Sequence, residues 1–183
     1  LAANSHFTQN AGDNMTIMNN IQNPDKFYLN NLSATNYGYY NLWSADNTTT
    51  GYNDNPVVKT VYDPCPAGFK MPASNAFTGF TTTGQDTHTQ SELNVDGISD
   101  GQTFQNNFGY NFWTNSSKTA TINFPASGCR NSYNGSLISV GETGYYWSAG
   151  LAGTGSGCLL CFFSGYVFPL ASRGRYVGFE VSP

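Results

Sequence analysis

The hydrophobic and polar positions of the chain change character near residue 119. From there onward, short apolar and aromatic runs are separated by glycine-rich turns, a pattern typical of β-strands. The runs that predict strands are 119–125, 137–140, 145–149, 157–163 and 176–181. Because no internal repeat and no second apolar block accompany them, the pattern predicts one α+β domain with its sheet toward the C-terminal end.

The pattern upstream of residue 119 is weaker. Residues 1–20 are rich in asparagine and predict a lead-in or linker segment, so the folded domain is expected to cover 21–183. Residues 26–29 follow a turn and predict a strand. Residues 72–80 are the one segment that predicts a helix, a short one, and 81–118 read as polar sequence with scattered aromatic residues.

Composition favours a folded chain and excludes some partners. Charged residues make up 10% of the chain and aromatic residues 15%, whereas disorder combines few aromatics with high net charge. The net charge is −4 and only 7 residues are Lys or Arg, too few for the basic stripe that nucleic acid requires. No apolar run approaches the ~20 residues that cross a bilayer. The first residues lack the pattern of a signal peptide, so we expect this fragment to follow such a signal or other domains.

The cysteines do not form a metal-ligand pattern. Cys158 and Cys161 are three positions apart in an apolar run and would face opposite sides of a strand, roughly 10 Å apart, so the sequence favours buried thiols there. A disulfide between Cys65 and Cys129 stays open as an alternative. The oxygen-rich run 96–101 lacks the spacing and the terminal Glu of a calcium loop and predicts a plain turn. We therefore expect no metal and no cofactor.

Four motifs in the second part of the chain carry a family resemblance. Residues 57–72 (VVKTVYDPCPAGFKMP) place two prolines around a cysteine and predict a rigid turn. Residues 124–130 (FPASGCR), 144–149 (GYYWSA) and 175–181 (RYVGFEV) follow. In this order the motifs resemble those of Bacteroidetes surface proteins of the Fibrobacter-major-paralogous-domain (FISUMP-like) type, over roughly 57–183. Ser182 stands where that family has a closing arginine.

The resemblance implies a C-type-lectin-like fold, in the variant shared with formylglycine-generating enzymes. Such a domain has meeting N- and C-terminal strands, one or two short helices, antiparallel sheets and long loops that carry ligand contacts. Related proteins look like fimbrial tips, lipoproteins and other cell-surface proteins, which implies an extracellular or outer-membrane location. The residues expected to have structural roles are Tyr62, Asp63, Pro64, Cys65, Trp147 and Gly178.

The sequence offers little for catalysis and more for binding. It contains no Gly-x-Ser-x-Gly, His-Glu-x-x-His or phosphate-loop motif, and the two cysteines at 158 and 161 differ in spacing and context from those of formylglycine-generating enzymes. We therefore expect no enzyme activity. Aromatic and arginine side chains near the last strand are residue types that dominate binding hot spots. The predicted ligand-binding residues, expected in or beside a Gly/Ser-rich turn, are Phe163, Tyr166, Phe168, Arg173, Arg175 and Tyr176.

Alternatives remain for several of these residues. Trp43 and Trp147 suit either sugar-stacking platforms or, for Trp147 especially, the core; Phe168 suits the core as well as the surface. Arg130 suits an acidic ligand or a structural hydrogen bond. The Glu-Pro-Asn and Trp-Asn-Asp triplets of calcium-dependent lectins are absent, so calcium-dependent sugar binding is not expected.

The asparagines are unevenly distributed. All 22 lie within residues 1–134, although about eight would be expected in the last 49 at the same density. Strand formation disfavours Asn and explains this skew; adenine-directed mutagenesis, as in variable proteins of diversity-generating retroelements, is an alternative. The sequence predicts a non-catalytic, adhesin-type domain that binds a host or neighbouring-cell protein or glycan. A structural fimbrial or tip subunit with fimbrial partners is the main alternative, and an enzyme of the formylglycine-generating kind is the least favoured.

Overall fold

The computed structural model describes most of the chain from residue 51 onward and a few short segments before it. The described residues are 8–10, 22–23, 26–28, 43–46, 51–131, 135–153, 155–175 and 177–181. Within them the fold is mainly β-sheet, with one short α-helix and two short 3-10 helices. This agrees with an α+β or mostly β class.

The regular elements of the described residues are short before residue 143 and long after it. The strands are β1 Thr8–Asn10, β2 Lys26–Tyr28, β3 Gly109–Trp113, β4 Thr121–Pro125, β5 Cys129–Arg130, β6 Leu137–Ile138, β7 Thr143–Gly153, β8 Ser156–Phe163, β9 Tyr166–Gly174 and β10 Glu180–Val181. The α-helix, α1, is Gly101–Asn106, and the 3-10 helices cover Thr78–Phe80 and Gln90–Glu92.

The largest sheet has four strands in the order β10-β7-β8-β9. β8 runs antiparallel to both β7 and β9, and the cross-strand pairs Tyr145↔Cys161 and Trp147↔Leu159 fix the register between β7 and β8. β10 pairs with β7 in the parallel direction. Three two-stranded pairs accompany this sheet: β1–β2 is parallel, whereas β3–β4 and β5–β6 are antiparallel.

Two hydrophobic clusters cover the two faces of the four-stranded sheet. Because side chains alternate along a strand, Tyr146, Leu160 and Phe162 point into the first cluster. Trp147 and Leu159, one position away on the same strands, point into the second. A strand covered on both faces is expected to be apolar throughout, which explains the continuous apolar run of β8. The remaining members of the first cluster include Phe77, Leu93, Val95, Phe104, Tyr110, Phe112, Phe124, Ala126 and Val167.

The loop 59–71 is locked by one buried carboxylate. Asp63 accepts hydrogen bonds from the backbone N–H of Cys65 at 2.8 Å and of Met71 at 3.0 Å. Lys59 places its Nζ 3.0 Å from Asp63 Oδ1 and also donates to the Cys65 carbonyl at 2.6 Å. The hydrogen bonds and Lys59 together lower the pKa of Asp63, although burial, the largest single effect, opposes ionisation. We call residues 59–71 the stapled loop.

The residues expected to have structural roles in the stapled loop divide into two groups. Asp63 and Cys65 are buried, whereas Pro64 is exposed. Tyr62 is 47% exposed, and its backbone N–H donates to Thr60 Oγ1 within the turn. The carboxylate of Asp63 therefore holds the loop in its conformation.

Most strand predictions are confirmed, with shifted ends. Strands form within 26–29, 119–125, 137–140 and 157–163, and the run 145–149 lies inside the longer β7. The run 176–181 is shorter than expected, because its strand begins only at Glu180. Gly178 instead forms an isolated bridge with Arg130, whose N–H donates to the Gly178 carbonyl at 2.8 Å.

The helix prediction for 72–80 is wrong. The segment forms turns and a single 3-10 turn at its end. Side chains there bond the backbone and compete with helix formation: Ser74 Oγ accepts from the Asn53 N–H at 2.7 Å, and Thr78 Oγ1 donates to the Asn75 carbonyl at 2.8 Å. The α-helix lies at Gly101–Asn106 instead, inside the stretch that reads as irregular.

The expectation of antiparallel sheets holds for most strand pairs but not for all. β10 joins β7 in parallel, and β1 and β2 form a parallel pair. In the part of the chain that the structure describes, the C-terminal strand pairs with β7 rather than with an N-terminal strand. A two-residue strand gains little from ladder hydrogen bonds, so β10 depends on the packing of Val181 and Phe179 against the second cluster.

Candidate functional site

The turn between β8 and β9 gathers four aromatic rings. Phe163 and Tyr166 pair across the strands with ring centroids 4.5 Å apart, and Phe168 lies 5.7 Å from Phe163 and 5.9 Å from Tyr166. His88 extends the group at 5.6 Å from Tyr166. We call these four residues the aromatic cluster. It joins three of the residues that the sequence predicts as ligand-binding.

Two anchors hold the aromatic cluster in place. The fully buried Tyr110 accepts a hydrogen bond from the Gly165 N–H at 2.8 Å, and its hydroxyl donates to the Phe163 carbonyl at 3.4 Å. On the other side, Thr87 exchanges two backbone hydrogen bonds of 3.0 Å with Val167, which sets His88 beside Tyr166. These hydrogen bonds tie both ends of the turn to the body of the fold and so constrain the position of the cluster.

Phe163 and Tyr166 flank the two-residue turn Ser164-Gly165, whereas Phe168 and Arg173 lie farther along the strand. Residues 166–174 form an edge strand whose outer side is partly paired with residues 86 and 87. Arg173 pairs with Gly157, toward the opposite end of β9 from Tyr166, yet its charge acts electrostatically on Tyr145 and Cys161 of the neighbouring strands. Arg173 is exposed and Arg175 half-buried, while Tyr176 lies outside the described residues.

For the other residues with alternative interpretations, the contacts favour structural roles over ligand binding, in whole or in part. Phe168 is half-buried and packs against the second cluster, so it is partly core and partly surface. Trp147 is 6% exposed and contacts Trp43 edge-on at 6.5 Å, which places both indoles in packing rather than on an open sugar platform. Arg130 donates from Nη1 to the Gly135 carbonyl at 2.9 Å, the structural role.

A groove of about 450 Å³ begins beside the aromatic cluster. It crosses the end of the sheet between α1, the start of β7 and the β8–β9 turn. Its volume lies in the range of small-ligand sites. The lining residues are Gly101, Phe104, Gln105, Gly141, Glu142, Thr143, Tyr145, Phe163 and Ser164.

The groove combines aromatic walls with uncharged polar groups and one carboxylate. Phe104 is almost fully buried and Tyr145 and Phe163 are half-buried, whereas Gln105 and Glu142 are exposed. Burial raises the pKa of Tyr145, so its phenol is neutral at physiological pH. Such a lining suits recognition by ring contacts and hydrogen bonds. Among the described residues that line the groove, Glu142 is the one carboxylate.

The four cysteines are free and buried. Burial raises the pKa of Cys158 and of Cys161 to about 11, so both are protonated thiols at neutral pH. Strand alternation puts them on opposite faces of β8. A reactive cysteine needs a stabilised thiolate, and neither environment provides one.

Within the described ranges, no three His, Cys, Asp or Glu side chains lie together in a way that could hold a metal ion. The oxygen-rich run 96–101 turns at Gly97 (φ +89°) and ends in Asp100, which caps α1 by accepting the Thr103 N–H at 2.7 Å. Asp100, one of the acidic residues in this run, is therefore the N-cap of α1.

Sequence reasoning missed the residues that complete the site. His88, Gln105 and the neighbours Glu142 and Tyr145 come from three separate segments of the chain, and the Thr87–Val167 bridge, α1 and β7 bring them to one end of the sheet. One signal was present: Asp100 three residues before Thr103 is a helix N-cap spacing, which indicates the helix that forms one wall.

A scan of protein-family models, a search of curated proteins and a search of solved structures each found no match to this chain. In the part of the chain that the structure describes, no helix has both the length and the apolar character needed to span a bilayer.

Proposed function

We propose that this chain is a non-catalytic, adhesin-type binding domain of a bacterial cell-surface or fimbria-associated protein, located extracellularly or at the outer-membrane surface. The observation that carries the proposal is the aromatic cluster, which hydrogen bonds of Tyr110 and Thr87 anchor at the mouth of a groove of about 450 Å³. Tyr166 is 38% exposed, so a large ring lies ready for a partner. The ligand class is a host or neighbouring-cell protein or a glycan.

The chemistry of the site supports binding more than catalysis. Aromatic side chains supply large contact areas with few rotatable bonds, as in paratopes. The groove offers one carboxylate, and the buried Cys158 and Cys161 are held as neutral thiols. These features favour recognition over an enzyme of the formylglycine-generating kind.

A C-type-lectin-like fold for residues 21–183 belongs to the same proposal. Its supports are the order of the four sequence motifs and a mainly β architecture with one short helix. The Tyr-Trp-Ser motif lies in β7, an inner strand of the four-stranded sheet, as a structural core motif should.

The test is a binding screen of the purified chain on glycan and host-protein arrays, followed by affinity measurement on any hit. Tyr166→Ala should reduce affinity at least tenfold, because a central aromatic anchor contributes about 2 kcal/mol or more. Phe69→Ala is the matched control, since Phe69 is 57% exposed on the stapled loop. Hits that bind both variants as tightly as the wild type, or arrays without any hit, would count against the proposal.

A structural fimbrial or tip subunit is the second candidate. The favouring observation is the apolar surface of the stapled loop and its entry, where Val61 is 89%, Phe69 57%, Tyr62 47% and Val58 42% exposed. Exposed apolar patches commonly mark protein contacts. Sedimentation of wild type and Val61→Asp over a concentration series tests this function: association that the variant abolishes favours a subunit role.

A further inference from the structure

The groove contains two aromatic rings on the same face of the two inner strands. Tyr145 of β7 pairs with Cys161, and Phe163 of β8 pairs with Thr143. Paired residues share a face of the sheet, so Tyr145 and Phe163 are diagonal neighbours across the β7–β8 ladder. Both line the groove.

Each of these rings is supported from its outer side. Phe179, immediately before β10, stacks on Tyr145 at 4.6 Å with an interplanar angle of 8°. Tyr166 of β9 stacks on Phe163 at 4.5 Å and 26°. Because the strand order is β10-β7-β8-β9, both supporting rings lie away from the middle of the sheet. The remaining faces of Tyr145 and Phe163 are therefore directed toward the space between them, which we call the slot.

Among the described residues that line the groove, one side chain is charged, and it is an acid. Glu142 is exposed and directly precedes Thr143, the cross-strand partner of Phe163. Gln105, Thr143 and Ser164 add uncharged polar groups to the same lining. A carboxylate in a groove that also presents two aromatic faces is complementary to a cation, and Arg173, whose charge acts on Tyr145, is not among the described lining residues.

We propose that the slot binds the guanidinium group of an arginine on the surface of a partner protein, an inference that rests on the proposed binding function and makes the partner a protein. A planar guanidinium stacks on aromatic faces and meets a carboxylate through two parallel N–H donors, which suits Tyr145, Phe163 and Glu142 together. An ammonium group lacks the plane, and a sugar ring lacks the charge.

The test is a titration of the full chain, followed by two-dimensional amide NMR spectra. The probe is Nα-acetyl-L-arginine N-methylamide, and the matched neutral probe is the citrulline analogue, which has the same shape without the charge. We expect saturable shifts at Gly141, Glu142, Thr143 and Ser164, with a Kd on the order of 1–10 mM for a single exposed site. The citrulline probe should bind at least fivefold more weakly.

Two variants separate local recognition from general attraction to an acidic protein. Glu142→Gln should weaken the arginine probe at least fivefold, and its amide spectrum reports whether the fold is intact. Asp46→Asn is the control, because it also removes one negative charge. This exposed acid lies far from the groove, with Gly150 around a small cavity at the other end of β7. It should leave the affinity unchanged.

The outcomes keep this inference distinct from the binding function. Equal binding of the arginine and citrulline probes, equal effects of the two variants, or no shift in the groove each overturns the arginine assignment. Chitotriose serves as a glycan probe, and shifts at the same amides with chitotriose but not arginine overturn it as well. In each of these cases the proposed binding function would still stand if an array ligand binds with an affinity that depends on Tyr166. Only the absence of such a ligand would remove the binding function.

Discussion

The stapled loop gives the sharpest stability prediction, because its contacts converge on one side chain. Replacing Asp63 with Ala removes the acceptor for two backbone N–H groups, those of Cys65 and Met71, in a buried place. An unsatisfied buried donor costs roughly 1–3 kcal/mol. Lys59 loses its ion pair but keeps the Cys65 carbonyl and is 33% exposed, so its own penalty is small. We therefore expect a destabilisation of about 3 kcal/mol.

The assay is urea denaturation followed by tryptophan fluorescence, with thermal unfolding in parallel. A loss of about 3 kcal/mol corresponds to a fall in Tm of roughly 6–12 °C for a domain of this size. Asp54→Ala is the matched control, because the Asp54 carboxylate makes an exposed hydrogen bond of 3.3 Å with Asn75 and should change stability by less than about 0.5 kcal/mol. If Asp63→Ala unfolds within about 1 kcal/mol of the wild type, the staple does not hold the loop.

The pKa of Asp63 adds a pH dependence with a defined sign. The hydrogen bonds and Lys59 lower the folded-state pKa below the ordinary value of 3.8, so the unfolded chain takes up the proton first. The stabilisation is complete above the unfolded-state pKa and is lost as the pH falls through the folded-state pKa. Between pH 7 and pH 3 the urea midpoint of the wild type should therefore fall more than that of Asp63→Asn; parallel curves would contradict this.

Three further predictions concern the core, the thiols and a strained residue. Gly144→Ala should destabilise the fold by about 1–3 kcal/mol, because a Cβ there would lie 2.1 Å from the ring of the fully buried Phe162; an unchanged urea midpoint would contradict the packing. Cys158 and Cys161 should resist Ellman's reagent at pH 7 until guanidinium unfolds the chain, because burial holds both as neutral thiols. Phe108→Gly should raise stability by up to about 1 kcal/mol in thermal unfolding, because Phe108 has φ 51° and a ring that is 72% exposed.

The β-rich half of the fold is predictable from the sequence because the burial of its strands largely follows the local pattern of apolar residues. β8 is covered on both faces, so its sequence is apolar throughout, whereas β4 alternates in sequence but buries only Phe124. The same rules fail for β9, where Pro169 lies in the middle of the run and argues against a central strand. The structure resolves the conflict by placing β9 at the edge of the sheet, where a missing N–H is tolerated.

The short helix shows the complementary limit. The sequence of α1 has one buried side chain, Phe104, so no 3.6-residue apolar period exists to be recognised. Its start is set by local chemistry, with Asp100 as the N-cap, and its C-cap is Asn107. The chain then enters β3 at Gly109, where a Cβ would lie 2.2 Å from the Phe124 carbonyl. That clash depends on the pairing of β3 with β4, which is a tertiary fact.

The candidate site combines both situations. The residue types of Phe163, Tyr166 and Phe168 are visible in the sequence, and their closeness along the chain lets them meet across one tight turn. The groove depends on Tyr145 and Glu142, which reach the same place only through the register of β7 against β8. A shift of one residue in that register would turn Tyr145 to the opposite face.

The rigidity of the site follows from where its strands are anchored. β7 and β8 pack into hydrophobic clusters on both faces, so neither strand can slide without exposing Trp147 on one side or Phe162 on the other. Tyr110 and Thr87 then tie the β8–β9 turn to the body of the fold from two directions. A site prepared in this way loses little conformational entropy when it binds. Aromatic contacts that are too few for a large interface can therefore still give useful affinity, provided that the partner presents its recognition group on an equally rigid surface.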